Sequence, residues 1–292
     1  MVLNIRNICE DFLKYYEAAR GKTFEESEKL WKELYEEPNR DILDTYLGIL
    51  RIFDPNFKLE SQYPYAFNRY DEQYEKIKAS IKSINGDIIE KCKECKELFK
   101  VKDEEDISLT FILFVALYIA DGYIIDYKGK PTAFFAVEKL YTGDTLKIFL
   151  GHEVTHNIHR QLSGIKEKCT LAENIFQEGL AVAVSEELCK GQKPAYYIYH
   201  ANRRAEELTE KAQAAWGVMK EHILQDLHKV GDEHGARYFG GDTGYEDVPC
   251  RCGYAYGYSV VKRLLEEYTF EELIRWNSER VVEEVERVIE LM

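Results

Sequence analysis

Residues 146–162 read LKIFLGHEVTHNIHRQL. Leu146, Leu150, Val154, Ile158 and Leu162 recur every four residues, which predicts a helix with one apolar stripe facing a core. On that helix His152 and His156 project from one face a single turn apart, close enough for two imidazoles to share a metal ion at about 2.0 to 2.1 Å. Glu153 lies round the helix from them, where a general base stands rather than a ligand. The His-Glu-x-x-His pattern also arises by chance as two surface histidines. Its reading therefore depends on a strand before it, a helix around it and an acid after it.

Working backward, the chain from Ile107 to Ala120 is a long apolar run, too short to cross a bilayer as a helix, which needs roughly 20 residues. It reads as a buried strand. Gly122 to Tyr127, the turn residues Lys128-Gly129-Lys130 and a strand from Thr132 to Val137 then predict a small sheet with a hairpin. The strand Thr132 to Val137, just before the histidine helix, is the candidate edge along which an extended peptide would add. Working forward, Ile175 to Ser185 predicts a second helix carrying Glu178, the natural third ligand. Gly179, Ala181 and Ala183 are small enough to let its backbone approach the histidine helix. Glu173, Glu186 and Glu187 are the competing acids, the last two near the helix end, where solvated acids are usual.

The first hundred residues read as helical from the start. Thr23 and Glu26 form a capping box that opens a helix ended by Pro38, and a second long helix from Asn68 to Phe99 is expected to break near Asn85-Gly86. The expectation is therefore an α+β fold, mostly helical with a small mixed sheet preceding the zinc-binding helix. Residues 1–104 form a helical N-terminal region and 105–292 a catalytic region.

Three segments, HEVTH at 152–156, EGLA at 178–181 and Gly253-Tyr-Ala-Tyr-Gly-Tyr258, together resemble the gluzincin-clan predicted zinc-dependent proteases of bacteria. Leu30-Trp-Lys-Glu-Leu-Tyr35 followed by Pro38 resembles that family's N-terminal portion. A metzincin is excluded, because His159 and Leu162 stand where its glycine and third histidine belong. The resemblance implies a thermolysin-like core and one zinc ion held by His152, His156 and Glu178. It also implies a tyrosine that donates to the oxyanion: Tyr254 is the first choice and Tyr258, one turn later on the same face, the second. The 21 residues between His156 and Glu178 make a longer connection than in thermolysin. Phe135-Ala-Val-Glu138 faintly resembles the segment whose glutamate grips a substrate amino terminus in aminopeptidases. It lacks that segment's glycine and asparagine, so Glu138 reads as an ordinary strand-end acid.

The remaining candidates read plainly. His159 reads as a polar residue on the helix surface, the alternatives being a group that supports the ligands from behind or one that lines the cleft. His200, His222, His228 and His234 have no ligand-like spacing, and the loop from Gly231 to Asp247 shapes the cleft. Cys92-x-x-Cys95 and Cys250-x-Cys252 are not read as a structural zinc site, the first pair lacking the tight turn of a zinc knuckle.

The balance of 53 acidic against 39 basic side chains disfavours nucleic acid and anionic membrane surfaces as partners. The N-terminal segment carries charges through what would be the apolar core of a signal peptide and reads as an amphipathic helix. Seven cysteines, an odd number, fit free thiols in the cytoplasm. The expected function is hydrolysis of peptide bonds in a peptide or protein substrate, with Glu153 as base. The alternatives are a zinc-binding peptide-recognition or regulatory module without turnover, and a zinc hydrolase of another amide.

Overall fold

The computed structural model describes residues 1–119, 121–165, 168–199, 204–240 and 248–292. It is an α+β protein, mostly helical with one four-stranded mixed sheet. Its contacts group residues 3–87 and 108–140 into one compact unit, and residues 1–2, 88–107 and 141–292 into another.

The first unit carries the sheet. Strand β1 (Val2–Asn7) alternates exposed and half-buried residues. The expectation of a helix from the first residue is thus corrected: Val-Leu-Asn-Ile-Arg-Asn has the period of two that a strand requires. Helix α1 (Cys9–Ala19) follows, then α2 (Phe24–Trp31), which opens on the Thr23–Glu26 capping box. Pro38 lies in a short turn before α3 (Arg40–Phe53). Helix α4 (Tyr63–Leu98) runs unbroken for 36 residues through Asn85-Gly86, where a break was expected. An isolated glycine costs a helix only about 1 kcal/mol. Burial of Ile77, Ile81, Ile84, Ile88, Cys92 and Cys95 along one face outweighs that, at about 1.5 to 3 kcal/mol for a large aliphatic side chain.

Strands β2 (Ser108–Phe114), β3 (Gly122–Tyr127) and β4 (Lys130–Ala136) complete the sheet in the order β1-β2-β4-β3. The apolar run expected to be strand as far as Ala120 ends at Phe114, since Leu117 and Tyr118 turn into the left-handed region; Ala120 lies outside the described residues. The hairpin between β3 and β4 turns on Lys128 and Gly129, both at positive φ, the backbone of a type I′ turn. Strand β4 pairs parallel with β2 and antiparallel with β3. It is an inner strand with both rows of backbone groups engaged, so the expected edge for peptide addition does not exist there. The unit's core is aromatic: Phe12 meets Tyr70 edge-on at 4.9 Å and Tyr15 meets Trp31 at 5.1 Å.

The second unit contains α5 (Asp144–Ser163), α6 (Leu171–Leu188), α7 (Pro194–Ile198), α8 (Ala205–Ala214), α9 (Trp216–Asp226), α10 (Asp232–Phe239), α11 (Cys252–Leu264), α12 (Phe270–Leu273) and α13 (Ser278–Leu291). Helix α6 is buried nearly all round, from Leu171 to Ser185, and packs against α5, α11 and α13. That is the expected place for a helix with apolar residues on every face. Among the described residues, no helix is long and apolar enough to cross a membrane.

Candidate metal centre

Helix α5 starts beyond Gly143 at φ 62° and stops at Gly164 in the left-handed conformation, a common helix C-terminus. The expected stripe is the buried one: Leu146, Leu150, Val154 and Ile158 all lie in the core, with Leu162 only partly covered. Helix α6 opens on a second capping box, in which Glu173 serves Thr170. Glu173 is thereby occupied at the helix start, and Glu187 pairs with Lys190 at the other end.

Two contacts fix α6. Toward α5, the buried Ser185 hydroxyl donates to the carbonyl of Ile148 at 2.9 Å, and a side chain at Gly151 would meet Ser185 Oγ at 3.6 Å. Toward α11, Gly179 meets Gly257: a Cβ on Gly179 would stand 2.1 Å from the Gly257 carbonyl oxygen, and a Cβ on Gly257 2.3 Å from that of Ile175. Gly179 was expected to admit the histidine helix. It admits α11 instead, and the glycines of the EGLA and Gly-Tyr-x-x-Gly-Tyr segments are two halves of one helix crossing.

The result is a convergence of His152, His156 and Glu178, whose ligand atoms all lie within 4.8 Å of one another. Glu178 Oε2 is 3.0 Å from His152 Nε2 and 3.5 Å from His156 Nε2, and the two Nε2 atoms are 3.0 Å apart. Four-coordinate zinc at about 2.0 to 2.1 Å from its ligands spaces them about 3.3 Å from one another. Two imidazole nitrogens with one carboxylate, and no thiolate, is a ligand set used by catalytic zinc sites. The residues therefore fit the metal. Burial alone would raise the Glu178 carboxyl pKa, but His156 and His152 beside it outweigh burial and hold it well below the usual range. Glu178 also offsets the effect of burial on His156, whose pKa is raised. Among the described residues, no other group of three such side chains converges in this way.

Tyr254 and Tyr258 share a face of α11 but reach different places. The Tyr254 ring lies 6.4 Å from that of His152. Burial raises its pKa, and the charges of Glu178 and Glu153 push the same way. The Tyr258 hydroxyl donates to Glu186 at 2.9 Å, an acid that Lys262 also pairs. Glu153 is partly exposed, and its charge acts on both His156 and Tyr254. Phe239 meets the Tyr254 ring edge-on at 5.2 Å, and the Arg251 guanidinium lies over it at 4.9 Å. Sequence reasoning named neither, for their approach depends on how α10 folds back onto α11.

His159 was expected on the helix surface. It is 1% exposed, with its ring 5.5 Å from Phe176, because α6 covers that side of α5. Burial lowers its pKa to about 3. Glu138 does stand just past the end of β4, but it is not solvated there. It is 1% exposed and accepts the backbone N–H of Ala116 at 2.7 Å and of Tyr118 at 2.9 Å. Burial raises its pKa to about 7 against the pull of those amides. His228 faces Glu286 and His234 faces Asp226. His200, and residues 241–247 of the loop expected to shape the cleft, lie outside the described residues.

Residues 70–283, well over half of the chain, match the family model described as "Predicted Zn-dependent protease (DUF2268)". No curated protein and no solved structure matches the chain.

Proposed function

The chain belongs to the family of predicted Zn-dependent proteases, and from that premise we propose that it is a gluzincin-type peptidase in which His152, His156 and Glu178 hold one zinc ion and Glu153 is the base. The observation that carries this reading is the convergence of three ligand atoms within 4.8 Å. When bound, zinc supplies a Lewis acid that acidifies water and polarises a carbonyl. Glu153 accepts the proton of the attacking water and delivers it to the leaving amine, a role worth roughly 10²- to 10⁴-fold. Tyr254, whose raised pKa keeps its hydroxyl protonated at neutral pH, donates to the oxyanion as the carbonyl becomes tetrahedral. Tyr258 and Glu186 tie α11 to α6. The substrate is a peptide or protein, and the seven cysteines, all present as thiols, fit a cytoplasmic setting.

Elemental analysis and cleavage of a mixed peptide library, read by mass spectrometry, test this on wild type, Glu178→Ala and Glu153→Gln. The expected result is one zinc per wild-type chain, lost in Glu178→Ala and kept in an inactive Glu153→Gln. Full zinc in Glu178→Ala removes Glu178 from the ligand set. A zinc-loaded wild type that cleaves nothing favours a peptide-recognition module.

A further inference from the structure

Arg251 has no place in the chemistry just described, yet it stands beside it. Its guanidinium covers the face of the Tyr254 ring at 4.9 Å, and that ring is the one next to His152. Among the described residues no carboxylate pairs with Arg251, and its buried Nε has no hydrogen-bond partner. This is not for want of acids in a chain of net charge −14. A guanidinium held over a ring by its charge still carries its terminal N–H donors, in the fork that matches a carboxylate.

The backbone adds a second observation. Arg251 sits at φ 58°, in the left-handed region, fixed there by its N–H to the carbonyl of Gly240 at 3.1 Å. A non-glycine residue there is strained, and glycine would not be. The chain therefore carries its long, flat cation where the backbone favours having no side chain. In a chain of net charge −14, a cation beside the centre is a point of attraction for an anionic group that the chain as a whole repels.

Resting on the peptidase reading, we propose that Arg251 is a specificity-determining residue that binds a carboxylate of the substrate close to the scissile bond. The carboxylate belongs either to an acidic side chain or to a free C-terminus, since the fork accepts both.

Four matched sets of fluorescent decapeptides distinguish the sources: Glu against Gln within the peptide, and free acid against amide at the C-terminus. Binding is measured by anisotropy to full-length, zinc-loaded Glu153→Gln, alone and combined with Arg251→Gly, which relieves the backbone and should fold at least as well, or Arg251→Lys. The expected result is tighter binding of the carboxylate-bearing member of at least one pair, by about tenfold to a hundredfold. That ratio should fall toward one in Arg251→Gly and be only partly kept in Arg251→Lys. The pair that responds identifies the carboxylate. No preference in either pair, or a preference that survives Arg251→Gly, overturns the proposal. Because binding is read without turnover, a wild type that cleaves none of the four sets while the Arg251-dependent preference persists counts against the peptidase reading alone.

Discussion

Glu138, in the sheet-bearing unit, and Glu178, in the helical unit, are both carboxylates drawn away from water, yet their surroundings drive them in opposite directions. For Glu138 burial prevails over the backbone N–H groups of Ala116 and Tyr118 and the lesser pull of the Lys139 charge, lifting its pKa to about 7. Glu178 faces two imidazoles, and their pull prevails over burial. The first arrangement can be completed by taking up a proton, which suits an acid that shapes a turn. The second keeps a negative charge beside two nitrogen donors, which suits a cation. The sheet unit repeats its pattern at Asp41, whose carboxylate takes Arg6 through two hydrogen bonds together with Tyr127 and Lys128. At Asp41 that unit satisfies its acid from its own side chains.

The largest expected effect tests whether this difference is real. Glu178→Gln should weaken zinc binding at least about a hundredfold in a competition titration with a chelator, since replacing even an outer-shell partner typically costs 10- to 100-fold. It should also cut the gain in stability that excess zinc gives wild type, about 2.7 kcal/mol when free zinc is 100 times Kd, to about 0.4 kcal/mol or less. Glu138→Gln, equally isosteric, should keep both. Parallel losses in the two variants would erase the contrast between the acids.

Next in size is the crossing of α6 and α11. Gly179→Ala puts a methyl 2.1 Å from a backbone carbonyl oxygen, and neither main chain can yield without moving its whole helix. A cost of about 3 kcal/mol in denaturant unfolding is expected, at the upper end for overpacking. Catalytic efficiency should fall further than the residual folded fraction explains, because α11 carries Tyr254. An unchanged midpoint would mean the two helices slide apart freely.

Titration should separate the units by sign. A carboxyl raised to about 7 gives stability that is complete below about pH 4.5 and lost as pH rises through 7, by up to roughly 3 kcal/mol from the size of the shift. The difference in unfolding midpoint between wild type and Glu138→Gln should therefore turn against wild type across that range. His159, lowered to about 3 by burial, works the other way. Its contribution is complete above about pH 6.5 and lost as pH falls toward 3, and His159→Leu should remove that acid sensitivity. Both midpoint differences remaining flat with pH would show that neither group titrates in the folded protein as its burial implies.

The convergence of His152, His156 and Glu178 was legible because it is local. A four-residue period and two histidines at one-turn spacing fix which side chains share a face, and Glu178 needs only a second helix packed on the first. What the sequence hid depends on which elements end up neighbours. Gly179 reads as small, but not as facing α11 rather than α5. Thr132 to Val137 reads as strand, but its inner position follows from β2 pairing in parallel with β4 across a connection that contains β3. His159 reads as polar, and only the cover supplied by α6 makes it core. Val2 to Asn7 shows a different failure, a period of two spread over too few residues to stand out beside the helix that follows.

Gly86 brings the smallest effect and reverses the lesson of Gly179. Asn85-Gly86 has the composition of a turn, yet it lies inside α4 with nothing within 4 Å of the position a Cβ would take, and the residue is exposed. Here glycine serves no close approach and no left-handed backbone; it only leaves the unfolded chain more freedom to lose. Gly86→Ala should therefore stabilise the protein by about 0.5 to 1 kcal/mol, read as a higher denaturant midpoint at unchanged slope. Asn85 need not be altered, since its side-chain oxygen accepts from Asn7 at 3.3 Å and holds β1 near the helix. A glycine at a crossing and a glycine in open helix should thus answer the same substitution with opposite signs. Destabilisation by Gly86→Ala would mean that α4 does bend at this point in solution, as its sequence suggests.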